Sequence, residues 1–423
     1  MTTNDRFEPA IATWLHDEAR HRVPEHLGEV LAVTAKSRQR PAWSSLERWL
    51  PMDLTMATRR VPFSPPRRLI LVLALLVLAA LLVVAVAGSR SHVPPPFGPA
   101  LNGSILLSKD GDIYAADPGG TSVRLLIGGA SDDEGPWYSH DGTRFVFWRQ
   151  TGPTKAVIMM ANADGKNPHA IIDTPLVNGD WYEWSPADDR LAVVHEDRGL
   201  RVLSIVDVAT GKIRDLDVNG LNVDNDVLWR PPNGDELIFT ARPNATSGKG
   251  ASLYAIKPDG TGLRTIATRT REDWPFLGVD LSPDGQTLTY WMYESVAGSA
   301  DPHARIHLIN LGTGKDRVAR FDPSAVEESE LHFSPDGKTG TIVEAGTKAT
   351  LAVVDIAKES VVRQIGPQFV GNEDKSTAFS PDGKTALLAF DGGHPDLIDI
   401  ATGNVHVVDG FTGSYSSWQR LAR

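Results

Sequence analysis

Phe333-Ser-Pro-Asp-Gly337 and Phe379-Ser-Pro-Asp-Gly383 are the same five residues, and five further versions of them run from Trp137 to Trp418. The full form is an aromatic or Leu, then Ser-x-Asp-Gly, then an apolar run. It stands also as Trp137-Tyr-Ser-His-Asp-Gly142 and Leu281-Ser-Pro-Asp-Gly285. Trp184-Ser-Pro-Ala-Asp-Asp189 and Trp229-Arg-Pro-Pro-Asn-Gly234 are looser copies, and Trp418-Gln-Arg-Leu421 is a truncated one. Spacings of about 40 to 52 residues are those of propellers and other repeat arrays.

A second motif keeps step with the first. It is an alternating strand that ends in Asp or Asn near a Gly, as in Ile113-Tyr-Ala-Ala-Asp117, Leu203-Ser-Ile-Val-Asp207, Ile306-His-Leu-Ile-Asn310 and Leu351-Ala-Val-Val-Asp355. Pro presets the first position of a turn, and Asp-Gly or Asn-Gly supplies the positive backbone angle that a tight hairpin needs. Each unit therefore reads as an antiparallel meander of roughly four strands in about 45 residues. The unit at Ser104 lacks an aromatic opening strand, whereas the last copy, from Ser414, has that strand and nothing after it. The C-terminal strand is thus expected to complete the first unit and close the ring, which removes exposed sheet edges. The count is seven blades, with six or eight if an irregular unit is miscounted.

The aromatic-Ser-Pro-Asp-Gly turn followed by Ile-Tyr-x-x-Asp resembles the TolB-like repeat of bacterial β-propellers, a relative of the WD-type repeat. The resemblance covers residues 101–423 and implies an all-β propeller. Propellers host enzymes, scaffolds and receptors alike, so it implies no one activity.

Composition bounds the remainder. The 423 residues include 11 Trp, 38 Gly and 29 Pro, which fits a turn-rich β domain with a smaller part beside it. No cysteine is present, which excludes disulfides, thiolate nucleophiles and Cys-ligated zinc. Leu69 to Ala87 is an unbroken apolar run of 19 residues. At helical rise it spans roughly 28 Å, about the hydrocarbon thickness of a bilayer. It starts too far from Met1 for a cleaved signal peptide and reads as a signal-anchor over residues 67–90. Arg59, Arg60, Arg67 and Arg68 precede the run, and Arg90 is the one basic residue between it and Lys109. That asymmetry places the N-terminus in the cytoplasm and the propeller outside. Up to Gly88 there are 11 basic and 8 acidic residues, net +3; beyond it there are 31 and 45, net −14. An acidic outer domain argues against nucleic acid as its ligand.

Residues 1–66 read as a small cytoplasmic helical and juxtamembrane segment, with Phe7, Ala10, Ile11, Trp14 and Leu15 on one helical face. Two short helices bury too little to stand alone, so a cytoplasmic protein or the bilayer surface is the expected partner. The segment resembles the N-terminal region of uncharacterised single-pass bacterial proteins with anti-sigma-like character. The zinc-binding form of that module takes Cys and His ligands, and this chain lacks Cys. Residues 91–100, with Val93-Pro-Pro-Pro-Phe-Gly-Pro99, read as a stiff extended linker.

Familiar catalytic signatures are absent: there is no Gly-x-Ser-x-Gly, no His-Glu-x-x-His and no complete phosphate loop. Gly337-Lys338-Thr339 and Gly383-Lys384-Thr385 lack the first glycine of that loop and belong to turns. His195, His307 and His332 sit in strands, none at ligand spacing from another histidine. Asp215, Asp217 and Asn219, with Asp226 at the twelfth position, match most of a calcium loop; the alternation of Ile213, Leu216 and Val218 equally suits a strand and turn. Three to five residues before the opening aromatics lie Asp133, Asp180, Asp226, Glu328, Glu330 and Asp374. In propellers that resemble this chain the opening strand is innermost. These carboxylates would then ring one mouth of the channel and favour cations, amines or basic peptides; the alternative is a set of solvated loop acids. The reading is a membrane-tethered binding or sensing protein rather than an enzyme. The alternatives are an extracytoplasmic hydrolase or lyase with its site at the channel, and a cell-envelope scaffold.

Overall fold

The computed structural model describes residues 75, 76 and 94–423, except 173, 244–249, 269–275, 295–302, 322–326, 346–348, 370–374, 391–392, 409–410, 413 and 423. The chain divides into two compact units, Met1–Ser89 and Arg90–Arg423. In the first, Leu75 and Leu76 are helical and exposed. The remainder of the predicted span, and the predicted helices before it, lie outside the described residues. Among the described residues no helix is long and apolar enough to cross a membrane.

The second unit is all antiparallel β. One sheet runs β28 (Ser414–Leu421), β1 (Leu101–Lys109), β2 (Asp112–Ala116), β3 (Val123–Ile127). The last strand thus completes the first sheet, with Ile105 opposite Trp418 and Leu101 opposite Leu421. An eight-stranded sheet joins two meanders. The first is β4 (Asp133–Tyr138), β5 (Arg144–Gly152), β6 (Lys155–Asn162) and β7 (His169–Ala170). The second is β8 (Leu176–Trp184), β9 (Arg190–Asp197), β10 (Leu200–Asp207) and β11 (Ile213–Asp215), linked to the first through β6 and β8.

Four further sheets are four-stranded meanders. They open with β12 (Asn222–Trp229), β16 (Leu277–Leu281), β20 (Glu327–Phe333) and β24 (Lys375–Phe379). In the second of them β17 (Thr287–Glu294), β18 (His303–Asn310) and β19 (Lys315–Val318) follow β16.

Alternation explains the packing, because successive side chains of a strand leave opposite faces of the sheet. On β9, Leu191 and Val193 join a core with Val146, Trp148 and Trp184. Ala192 and Val194, on the other face, join one with Val223, Trp229 and Phe239. A middle strand buried on both faces reads as a continuous apolar run, which is what the sequence shows there. The same sharing returns to the start: Leu387, Ala389 and Leu397 pack with Ile105, Leu107 and Trp418, while Leu106 and Ile113 pack with Phe145 and Phe147.

The opening strands are neighbours in sequence order, β8 with β12, β12 with β16, β16 with β20, β20 with β24, β24 with β28 and β28 with β4. Side chains stitch them. Tyr138 N donates to Ser417 Oγ at 2.8 Å, Trp184 Nε1 to Trp137 O at 3.2 Å, Trp229 Nε1 to Glu183 O at 3.0 Å, and Phe333 N to Asp280 Oδ2 at 3.0 Å.

The linker differs from a free spacer. Arg420 Nη2 donates to Pro95 O at 2.9 Å and Gly98 O at 2.6 Å, and Ala100 N donates to Pro381 O at 2.8 Å. Phe97 meets the His140 ring edge-on at 5.3 Å. A Pro-rich segment keeps its carbonyls unpaired along the chain, so they are open to an outside donor.

Candidate functional site

The repeated motif is consumed in building turns. Ser139, Ser282, Ser334 and Ser380 each donate through Oγ to the Asp two residues on, at 2.6, 2.6, 2.8 and 2.7 Å. The same Asp oxygens accept backbone N–H from Thr143, Gln286, Lys338 and Lys384 at 2.9 to 3.1 Å. Burial raises the Asp141, Asp336 and Asp382 carboxyls, but these hydrogen bonds outweigh it and leave all three below the usual range. Gly142, Gly285, Gly337 and Gly383 have φ of +66 to +73°. In the looser copy Asp188 takes the glycine place at φ +56°, and its carboxylate accepts His140 N at 2.8 Å and Asp141 N at 2.9 Å. The two Gly-Lys-Thr triplets are part of these turns.

What varies between copies is the position before the opening aromatic. With the aromatic buried in the sheet, a period of two turns the preceding residue to the opposite face of the opening strand. Those residues are Trp137, Glu183, Leu228, Asp280, His332, Ala378 and Ser417. Three of them carry titratable groups: Glu183 on β8, Asp280 on β16 and His332 on β20.

Asp280 is held by Leu281 N at 2.7 Å and by Phe333 N at 3.0 Å, so it bridges β16 and β20. His332 Nδ1 lies 3.7 Å from Asp280 Oδ2, and its Nε2 lies 3.4 Å from Glu330 Oε2. Burial works to lower the His332 imidazole, but Asp280 and Glu330 outweigh it and hold the group protonated, up to about 10. Burial raises the Glu183 carboxyl to about 8, with a further push from Asp280. The result is a carboxyl on β8 that holds its proton at neutral pH, and a carboxylate–imidazolium–carboxylate row across β16 and β20.

The predicted acidic positions divide. Glu330 belongs to this cluster. Asp133 does not: it is buried and paired with Arg149 at 2.7 and 2.8 Å, a structural ion pair across β4 and β5. Asp180, Asp226 and Glu328 fall on β8, β12 and β20, with side chains outside the described residues, as is the whole of Asp374. In the calcium-like loop Asp215 Oδ1 accepts Ser204 Oγ at 2.7 Å and Asp217 Oδ1 accepts Asn219 N at 2.9 Å, while Leu216 and Val218 are buried. Among the described residues no group of three or more His, Asp or Glu is placed to hold a metal ion. Glu183, Asp280 and His332 were missed as site residues by the sequence reading; each stands one residue before the aromatic or Leu that opens its turn.

No protein-family model matches the sequence, and no curated protein does. Solved structures do. An oligogalacturonate lyase in complex with manganese is similar at 16% identity and TM-score 0.52, with 73% of this chain and 93% of that chain covered. A functionally unknown protein from Desulfotomaculum acetoxidans is similar at 12% identity and TM-score 0.53, covering 76% and 99%. TolB from Acinetobacter baumannii has 17% identity and TM-score 0.48, covering 76% and 83%. At such identities the likeness is one of fold alone, and that fold is the all-β propeller.

Proposed function

We propose that the chain is a membrane-tethered binding or sensing protein whose propeller takes a cationic ligand in its channel. The observation that carries the reading is the meeting of Asp280, Glu330 and His332 from two neighbouring opening strands. Asp280 and Glu330 flank the protonated His332, and with the acidic balance of the chain beyond Gly88 they favour a positively charged ligand. Cyclic packing of the sheets supports seven blades in a closed ring. The uncharged run from Leu69 to Ala87 and the basic residues before it support a single span with the propeller outside. Residues 1–66 are then left to engage a cytoplasmic partner.

Two measurements test this. Protease added to intact cells should remove the propeller epitope and spare residues 1–66; loss of neither or of both epitopes sinks the topology. A cationic peptide titrated into the full-length protein in detergent should bind, and Asp280→Asn should weaken it at least tenfold; no binding sinks the channel reading. A second reading, acid–base catalysis at the channel, is favoured by the Glu183 carboxyl, which burial and the Asp280 charge raise to about 8. It requires an ectodomain activity that Glu183→Gln abolishes.

A further inference from the structure

The calcium-like stretch runs into Asn219-Gly220, one of four Asn-Gly pairs in the chain; the others are Asn102-Gly103, Asn178-Gly179 and Asn233-Gly234. In such a pair the backbone nitrogen of the glycine can attack the side-chain amide carbon of the asparagine, because glycine has no Cβ to shield it. How readily it does so depends on what holds the amide and that nitrogen in the folded chain.

The turn between β11 and β12 holds neither. Asn219 and Gly220 are both exposed, at φ +56° and +72°. Asn219 donates its backbone N–H to Asp217 Oδ1 at 2.9 Å, but among the described residues neither its side-chain amide nor Gly220 N has a hydrogen bond. Nothing lies within 4 Å of where a Cβ on Gly220 would stand, so the nitrogen is open to approach. Two of the other pairs are restrained. Asn102 Oδ1 accepts Asp382 N at 3.0 Å, and Gly103 stands in β1 against the Gln419 side chain. Gly234 is buried and donates its N–H to Arg230 O at 2.9 Å. Asn178-Gly179 lies within β8, with the Asn178 side chain outside the described residues.

We propose that Asn219 is a site of spontaneous deamidation and isoaspartate formation, faster than Asn102 and Asn233 in the folded protein. Gly220 N forms a bond to Asn219 Cγ, the Cγ–Nδ2 bond breaks, and ammonia leaves with the proton that Gly220 N gives up. Water then opens the cyclic imide. Attack at Cγ returns an aspartate, whereas attack at the main-chain carbonyl leaves Gly220 N joined to Cγ and adds a methylene to the backbone. Either product puts a carboxylate where a neutral amide stood, two residues from Asp217. The turn is held on both sides: Leu216 and Val218 are buried in a core with Trp229 and Phe239, and Asn222 Oδ1 accepts Arg201 N at 2.8 Å. The extra methylene therefore falls in a span whose two ends are fixed.

Full-length protein in detergent, aged at mildly alkaline pH in heavy-oxygen water and mapped by peptide mass spectrometry with fragmentation, tests it, since each deamidation incorporates one labelled oxygen. Asn102 and Asn233 must each give up a hydrogen bond first, so Asn219 should take up label roughly tenfold faster than either. Gly220→Ala, shown to be folded by circular dichroism, should slow Asn219 severalfold and leave the other two unchanged. In urea, where the hydrogen bonds are gone, the three rates should converge. Label at Asn102 or Asn233 as fast as at Asn219 in the folded protein overturns the proposal, as does no label at Asn219. An Asn219 rate unmoved by Gly220→Ala, or the same order of rates in urea, overturns it too.

Discussion

Gly285 shows why a motif that recurs so faithfully is structural. Its φ is +66°, and a side chain there would collide with the Pro231 carbonyl of the preceding sheet. Gly285→Ala should therefore lose about 1–3 kcal/mol, read as a lower urea midpoint, whereas Gly314→Ala, also at positive φ but with open space around it, should lose less. Glu183 supplies a pH test. Its carboxyl is raised from 4.5 to about 8 in the folded protein, so the native state holds its proton more tightly than the unfolded chain. That stabilisation is full below pH 4.5 and fades as pH climbs through 8. Glu183→Gln should flatten this stretch of the stability curve, by on the order of 1–3 kcal/mol for a partly exposed group. His332, raised from 6.5 to about 10, extends the decline further into alkali. The repeated Ser, Asp and Gly were legible as turn residues because their roles are local. Glu183, Asp280 and His332 were not, because they emerge only when the copies are aligned on their opening aromatics, and bulges such as that between Leu277 and Asp280 shift the alternation for anything further back. Asp133 is the example: acidic and at the start of β4, it pairs with Arg149 across to β5.

At the scale of strands, the missing opening strand at one end and the surplus one at the other were readable from repeat phase alone, and β28 beside β1 follows from it. The contacts of the Pro-rich segment were not legible, because proline content reports stiffness and says nothing of whether distant donors await the carbonyls. Arg420, the donor, is 320 residues or more from them in sequence. Its guanidinium is mostly buried, and burial lowers it to about 10 even with Asp188 nearby. Arg420→Ala should lose two charge-assisted bonds, about 2–4 kcal/mol, in thermal unfolding. A chain that begins at Leu101 should show a similar loss, and its combination with Arg420→Ala should add little, since both remove the same contacts.

For the propeller as a whole, every sheet is packed on two neighbours, and the first and last share a core. Open repeat arrays unfold in parts, because each unit touches only those beside it in sequence. A closed one has no terminal unit to fray, so tryptophan fluorescence and far-ultraviolet circular dichroism should report one coincident urea transition for this unit, and removal of residues 414–423 should separate them. Closure also sets a clock. Leu101 meets Leu421 only when the last strand has left the ribosome. At about 5–20 residues per second, synthesis of the intervening chain takes on the order of 15–60 s. Throughout that interval the open edge of β1 is a template for the wrong strand. The growing polypeptide must be kept from premature pairing until β28 arrives.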